Sequence, residues 1–219
     1  MYGHIIKPIL FSLSIEQAHR VVMILLHLIG IIPGGRWLLR KCCAVRHPAL
    51  EREVFGIRFP NPVGLAAGFD RNGEALREIA ALGFGFVEIG SVTPRPQSGN
   101  PRPRVIVGCN IGKNASTPAE EAPGDYLKLF RNLYQYADYF TVNINCDNAF
   151  REEWGHAREY ILRILGPLFD FRRGQNQYRP VMLKISPDMP DGVIDRITDI
   201  LLETPLDGIV ATNGTFSRE

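Results

Sequence analysis

Val181-Met-Leu-Lys-Ile185, Asp191-Gly-Val-Ile-Asp-Arg-Ile-Thr-Asp-Ile-Leu-Leu202 and Gly208-Ile-Val-Ala-Thr212 decide the fold of this chain. A short apolar run, a longer amphipathic stretch and a second apolar run read as strand, helix and strand. Strands apolar on both faces belong to a parallel sheet covered by helical crossovers. The same alternation extends upstream. Apolar runs occupy Val63 to Ala67, Phe84 to Gly90, Val105 to Ile111 and Tyr139 to Ile144, and amphipathic stretches occupy Gly73 to Leu82, Ala119 to Tyr134 and His156 to Phe169. Six strands are predicted, and a (β/α)8 TIM barrel needs two more.

One connection departs from the pattern. The fourteen residues between Gly90 and Val105 include Pro94, Pro96, Pro101 and Pro103, which forbid the helix that usually joins parallel neighbours. The stretch is either an extended excursion or the scar of an absent segment.

The N-terminal residues have a different character. Ser14 caps a predicted helix whose apolar residues Ile15, Ala18, Val21, Val22, Leu25, Leu26 and Ile29 gather on one side, with Glu16, Gln17, His19 and Arg20 on the other. The run Val21 to Ile32, interrupted by His27, falls short of the about 20 residues that span a bilayer. It lacks the cleavage site of a signal peptide. Pro33-Gly34 ends the helix, and a second short one carries Trp37, Leu38 and Leu39 beside Arg36, Arg40 and Lys41. Val54-Phe55 and Ile57-Arg58-Phe59 flank Gly56 as a hairpin does. The boundary falls between Ala44 and Glu51, dividing a helical extension, 1–46, from a barrel domain, 47–219.

A hydrophobic content of 45% with 22% charged residues describes a globular chain with one large core, and a net charge of +2 without a basic run gives no footprint for nucleic acid. Cys42, Cys43, Cys109 and Cys146 have neither metal-ligand spacing nor the density of a disulfide scaffold, so no metal is expected.

Polar residues stand at the C-terminal end of every predicted strand, where a parallel barrel places its active site. They are Asp70 and Arg71, then Ser91, Asn110 and Lys113, Asn143, Asn145 and Cys146, Lys184, and Thr212 and Asn213. Singly, each reads as a loop cap; six strands ending alike read as a site. Asparagine offers a donor and an acceptor to a planar, amide-rich ligand, and Lys184 or Arg71 can neutralise an anion. Cys146 is open to two readings, a general base in a positive environment or a small buried hydrophobe.

Asn61-Pro-Val-Gly-Leu-Ala-Ala-Gly-Phe-Asp-Arg-Asn-Gly-Glu74 and Gly83-Phe-Gly-Phe-Val-Glu-Ile-Gly-Ser-Val-Thr-Pro-Arg-Pro-Gln-Ser-Gly-Asn-Pro-Arg-Pro-Arg104 bear a resemblance to the first two barrel strands and loops of class 2 dihydroorotate dehydrogenases. Asn110-Ile-Gly-Lys-Asn114, Asp138-Tyr-Phe-Thr-Val-Asn-Ile-Asn-Cys146, Leu183-Lys-Ile-Ser-Pro-Asp188 and Asp207-Gly-Ile-Val-Ala-Thr-Asn213 continue it in the family's order.

The resemblance implies a barrel that binds flavin mononucleotide (FMN), oxidises dihydroorotate to orotate in pyrimidine biosynthesis and passes electrons to a membrane quinone. It implies flavin contacts at Ala67, Gly68, Phe69, Asp70, Arg71, Ser91, Asn110, Asn143, Lys184 and Thr212, and orotate contacts at Arg71, Asn143, Asn148, Asn213 and Gly214. Cys146 becomes the base for the C5 proton, and His19 lies near the mouth of a quinone tunnel between the N-terminal helices. Peripheral attachment to a lipid bilayer, on the cytoplasmic face of a bacterial inner membrane or its equivalent, follows from the same likeness.

The chain also departs from the family pattern. Arg71 stands where Lys is usual, Cys146 where class 2 enzymes have Ser, and Asp147 where Pro is expected. A segment after Arg104, a loop after Cys146, and the last two strands with their phosphate-binding loops have no counterpart, so the chain reads as ordered parts of a longer protein or as a shortened one. Two other readings remain open: a class 1-like FMN barrel with a soluble acceptor, and a degenerate, non-catalytic protein of the membrane surface.

Overall fold

The structure, a computed structural model, describes residues 12–92, 106–144 and 154–213. Two helices, α1 (Ile15–Ile31) and α2 (Gly35–Cys43), lead into a hairpin of β1 (Arg52–Val54) and β2 (Ile57–Phe59). There follow β3 (Gly64–Leu65), α3 (Leu76–Ala81), β4 (Phe86–Val92), β5 (Ile106–Ile111), α4 (Ala122–Leu133), β6 (Tyr139–Asn143), α5 (Ala157–Arg173), β7 (Val181–Ile185), α6 (Asp191–Glu203) and β8 (Gly208–Ala211).

Strands β3 to β8 form one parallel sheet in the order of the sequence. A doubly wound sheet would reverse its order at some strand. This one never does, and the sheet is a curled part of a barrel wall. Each predicted apolar run is a strand, and β4 pairs directly with β5 although prolines crowd the residues between them. Those residues, 93–105, lie outside the described ones.

Alternation along the strands sorts the side chains. Cys109 and Ile111 of β5, Phe140 and Val142 of β6, and Val181 and Leu183 of β7 face the helices, packed with Tyr126, Leu129 and Phe130 of α4 and Ile161, Ile164, Leu165 and Leu168 of α5. Full burial of each large side chain contributes about 1.5–3 kcal/mol, so this layer carries most of the fold. The opposite positions, Glu88, Asn110, Tyr139, Thr141 and Asn143, are buried too, on the concave side.

The end of the barrel at the strand N-termini is filled by aromatic rings. Phe59 of the hairpin meets Phe86 edge-on at 5.5 Å, and Phe86 meets Tyr139 at 6.4 Å. Glycines make room for Phe86 and Tyr139: a Cβ on Gly64 would stand 2.2 Å from the ring of Phe86, and one on Gly108 would stand 2.2 Å from that of Tyr139. At the same end Arg172, nearly fully buried, binds Asp207 at 2.6 Å and the carbonyl of Pro205 at 2.5 Å, while Asp207 also accepts from Tyr178 and from the backbone of Val181. This cluster ties the end of α5 to the starts of β7 and β8.

Helix α1 opens with a capping box: Ser14 Oγ accepts from Gln17 N at 3.2 Å, and Gln17 Oε1 accepts from Ser14 N at 3.0 Å. The apolar side expected of it is divided. Leu26 is buried with Val22 and Met23 against Ile79 and Val87, while Val21, Ile24, Leu25, Leu28 and Ile31 are exposed, as are Trp37 and Leu38 of α2. Arg36 bridges to Glu78 of α3 at 3.1 Å, and α1 comes so close there that a Cβ on Gly30 would meet Glu78 Oε1 at 2.4 Å. Among the described residues no single helix is long and apolar enough to cross a membrane, and α1 and α2 are bent by 117° against each other.

Candidate active site

The polar residues singled out in the sequence meet where the strands end. Ser91 follows the positive-φ Gly90 (+112°), where a Cβ would collide with the Asn110 carbonyl at 2.3 Å. The turn brings Ser91 Oγ to donate to Asn110 Oδ1 at 2.8 Å, and Asn143 Nδ2 donates to Ser91 Oγ at 3.3 Å. Asn143 is held from its other side, since Tyr126 of α4 donates its hydroxyl to the Asn143 carbonyl at 2.8 Å. Lys184 is the register partner of Asn143 on the next strand, which sets an ammonium beside the amide cluster.

The loops complete the rim. Gly68 N donates to Gly90 O at 2.9 Å, drawing the Ala67-Gly68-Phe69 loop over β4, and Asn213 N donates to Ile185 O at 2.8 Å, drawing the segment with Thr212 over β7. Asp70 is buried, and both its carboxylate oxygens are engaged by the backbone amides of Glu74 and Ala75 at 2.8 and 2.9 Å. It shapes the loop that leads into α3, which starts at Leu76 with no side-chain cap. Arg71 is exposed. Lys113 is buried and donates to the carbonyls of Asn114 and Thr117, so it braces the loop after β5. His19 of α1 binds the Phe69 carbonyl at 2.6 Å and its ring meets that of Phe69 edge-on. Asn145, Cys146, Asn148 and Gly214 lie outside the described residues.

Residues not singled out in the sequence lie beneath this rim. Glu88 accepts from Asn110 Nδ2 at 2.8 Å, and Thr141 Oγ is buried with no hydrogen-bond partner among the described residues. Burial, followed by the Glu88 charge and its hydrogen bond, raises the Tyr139 phenol far above its usual range. Glu88 sits in the middle of an apolar strand, and that misplaced charge was the one signal that could have found it.

These residues form a hydrogen-bonded amide cluster at the strand ends, with Lys184 in register on the adjoining strand. The family model for dihydroorotate dehydrogenase matches residues 49–110 and 105–219. This chain belongs to the dihydroorotate dehydrogenase family. Among its relatives are proteins named dihydroorotate dehydrogenase (quinone) from Christiangramia forsetii, 36% identical over 100% of this chain and 74% of the relative, and from Halorhodospira halophila, 40% identical over 100% and 73%. The first alignment runs over 252 positions against 219 residues here, so the relative carries internal segments that this chain lacks. The ligand-free dihydroorotate dehydrogenase of Eimeria tenella superposes with a TM-score of 0.74 at 28% identity, over 93% of this chain and 70% of that one.

The family implies a flavin, and the site fits a flat ring of that kind. Gly68 holds φ at +107° with open space where a Cβ would be, so a ring can lie against bare backbone. Ser91, Asn143 and Lys184 carry donors and acceptors of the kind an amide-edged ring pairs with, and Asn110 backs Ser91 from within.

Proposed function

We propose that this chain oxidises dihydroorotate to orotate with bound FMN and a membrane quinone as the final acceptor, a step of de novo pyrimidine synthesis. The observation that supports it best is the hydrogen-bonded set Ser91, Asn110 and Asn143 beside Lys184, at the strand ends of a chain in this family. Dihydroorotate gives up a proton from C5 and a hydride from C6, forming the ring double bond of orotate. FMN, when bound, supplies the acceptor for that hydride and the relay of its two electrons to the quinone.

The chain's own residues do the rest. Ser91, Asn110 and Asn143 orient the flavin ring, and the Lys184 ammonium offsets negative charge that develops on it. Arg71, Asn143 and Asn213 bind the carboxylate and amide of orotate, and the family resemblance assigns Asn148 and Gly214 to the same ligand. Cys146 takes the C5 proton, a role that suits a thiolate in a positive environment.

The acceptor side belongs to α1 and α2. A pocket of about 340 Å³ lined by Arg20, Met23, Ile24, His27, Leu28 and Glu74 lies against α1, one turn beyond His19. The exposed apolar residues of α1 and α2, with Arg36, Arg40 and Lys41 near them, suit peripheral attachment to anionic lipid. The extension 1–46 then serves membrane and quinone, and 47–219 serves flavin and dihydroorotate.

Purified chain supplied with FMN should turn yellow and bleach with dihydroorotate in the absence of oxygen. Lys184→Ala should slow bleaching about 10²-fold or more while its melting temperature stays near the parental value. A chain that stays colourless with added FMN sinks the proposal. Reoxidation by fumarate or NAD in place of a quinone would move it to the soluble class.

A further inference from the structure

Glu88 stands between Val87 and Ile89 in β4, and only 7% of it is exposed. A buried carboxylate is costly unless its oxygens are hydrogen-bonded. Here Asn110 Nδ2 donates to it at 2.8 Å, and Tyr139 is bonded to it as well. As a carboxylate, Glu88 can only accept. The amide of Asn110 could face it with either its oxygen or its nitrogen at almost no change in shape, yet only the nitrogen makes a bond.

That choice propagates upward. With Nδ2 turned to Glu88, Asn110 presents Oδ1 to Ser91 and takes the hydroxyl hydrogen at 2.8 Å. Ser91 has no second hydrogen to give. Its lone pairs remain, and one of them already receives Asn143 Nδ2 at 3.3 Å. Ser91 is at the exposed end of the chain of bonds and Glu88 and Asn110 are at its buried end.

We propose that Glu88 is a positioning residue: it fixes the direction of the hydrogen bonds through Asn110, so that Ser91 meets a ligand as an acceptor and selects a ring N–H over a ring carbonyl. This rests on the flavin reading of the site. An isoalloxazine edge alternates carbonyl and N–H, so the direction of each contact decides whether the ring seats. Nothing in this argument requires Glu88 to touch the ligand.

The test is a double-mutant cycle on the full chain, with FMN as the probe and its dissociation constant read from flavin fluorescence. Glu88→Gln presents a donor as readily as an acceptor, and it should weaken FMN binding about tenfold, as should Ser91→Ala, each losing one well-made hydrogen bond. Together they should bind within about twofold of the weaker single variant, because Glu88 acts through Ser91. Losses that multiply overturn the proposal, and so does parental affinity in Glu88→Gln.

A second pair decides the matter should Glu88→Gln fold poorly. Asn110→Asp sets two carboxylates face to face and should lose FMN, with the long-wavelength flavin band returning to that of the free dye. Adding Glu88→Gln should restore both affinity and band position, since the new amide can donate to the new carboxylate while its second oxygen still accepts from Ser91. A double variant no better than Asn110→Asp overturns the proposal. Parental chain that takes up no FMN overturns the flavin reading and this one with it, whereas parental binding with unmoved variants overturns this one alone.

Discussion

Cys109 faces the helix layer from the middle of β5 and is fully buried. Burial first, then the charges of Glu88 and Asp138, push its thiol from 9.0 up to about 12. The unfolded chain releases this proton at the ordinary value while the folded chain holds it. The stability it contributes is therefore fully present below pH 9.0 and lost as pH rises through about 12. Cys109→Val, similar in size and unable to ionise, should show a shallower fall of melting temperature above pH 9.0. Parallel curves for the two proteins would show that another group titrates. The contrast with Cys42 and Cys43, both exposed, gives a simple check: an alkylating reagent should modify those two in the folded chain and leave Cys109 intact.

At the scale of elements, the Arg172 and Asp207 pair shows how parts distant in sequence are fastened. Arg172 ends α5, Asp207 precedes β8, and both are largely buried. Removing one partner of such a pair leaves the other charge stranded, so Asp207→Asn should cost about 3–5 kcal/mol in a urea melt. FMN affinity should hardly move, because the pair lies at the strand N-termini and the residues proposed to hold flavin lie at the strand C-termini; an affinity loss as large as the stability loss would contradict that placement. Periodicity makes the elements legible in the sequence: the six apolar runs are the six strands of the parallel sheet, and Asp191 to Leu202 is α6 to within a residue. The ends of the elements were less legible. Helix α3 starts at Leu76, three residues after the expected start, and α5 continues through Pro167 to Arg173, four residues past the expected end. The rim residues Ser91, Asn110, Asn143 and Lys184 were legible because strand ends in a parallel barrel are where ligands bind. Glu88, Tyr139 and Tyr126 were not, since each meets its partner only after folding and no local pattern encodes a contact of that kind; Glu88 and Asn110, for instance, are 22 residues apart, and Tyr126 and Asn143 are 17 apart.

The described residues join a barrel wall to a helical pair through one small apolar cluster and two polar contacts: Leu26, Val22, Met23 and Leu39 pack against α3 and β4, His19 reaches the Phe69 carbonyl, and Arg36 reaches Glu78. Much of the apolar surface of the pair faces outward, which a docked helix alone does not need. A chain beginning at Arg46 should stay folded, keep FMN and bleach with dihydroorotate, yet lose most quinone turnover and its affinity for anionic vesicles. Equal quinone turnover by the shortened and complete chains would remove the helices from the acceptor path. The sheet itself has a further property. Its strands stand side by side in the order in which they are translated, so every strand after the first has only its immediate predecessor to find. A chain leaving the ribosome N-terminus first can add β4 to β3, then β5, and so on, and the growing edge is always the strand most recently released. Among the described strands, each one after β3 emerges with a partner already made.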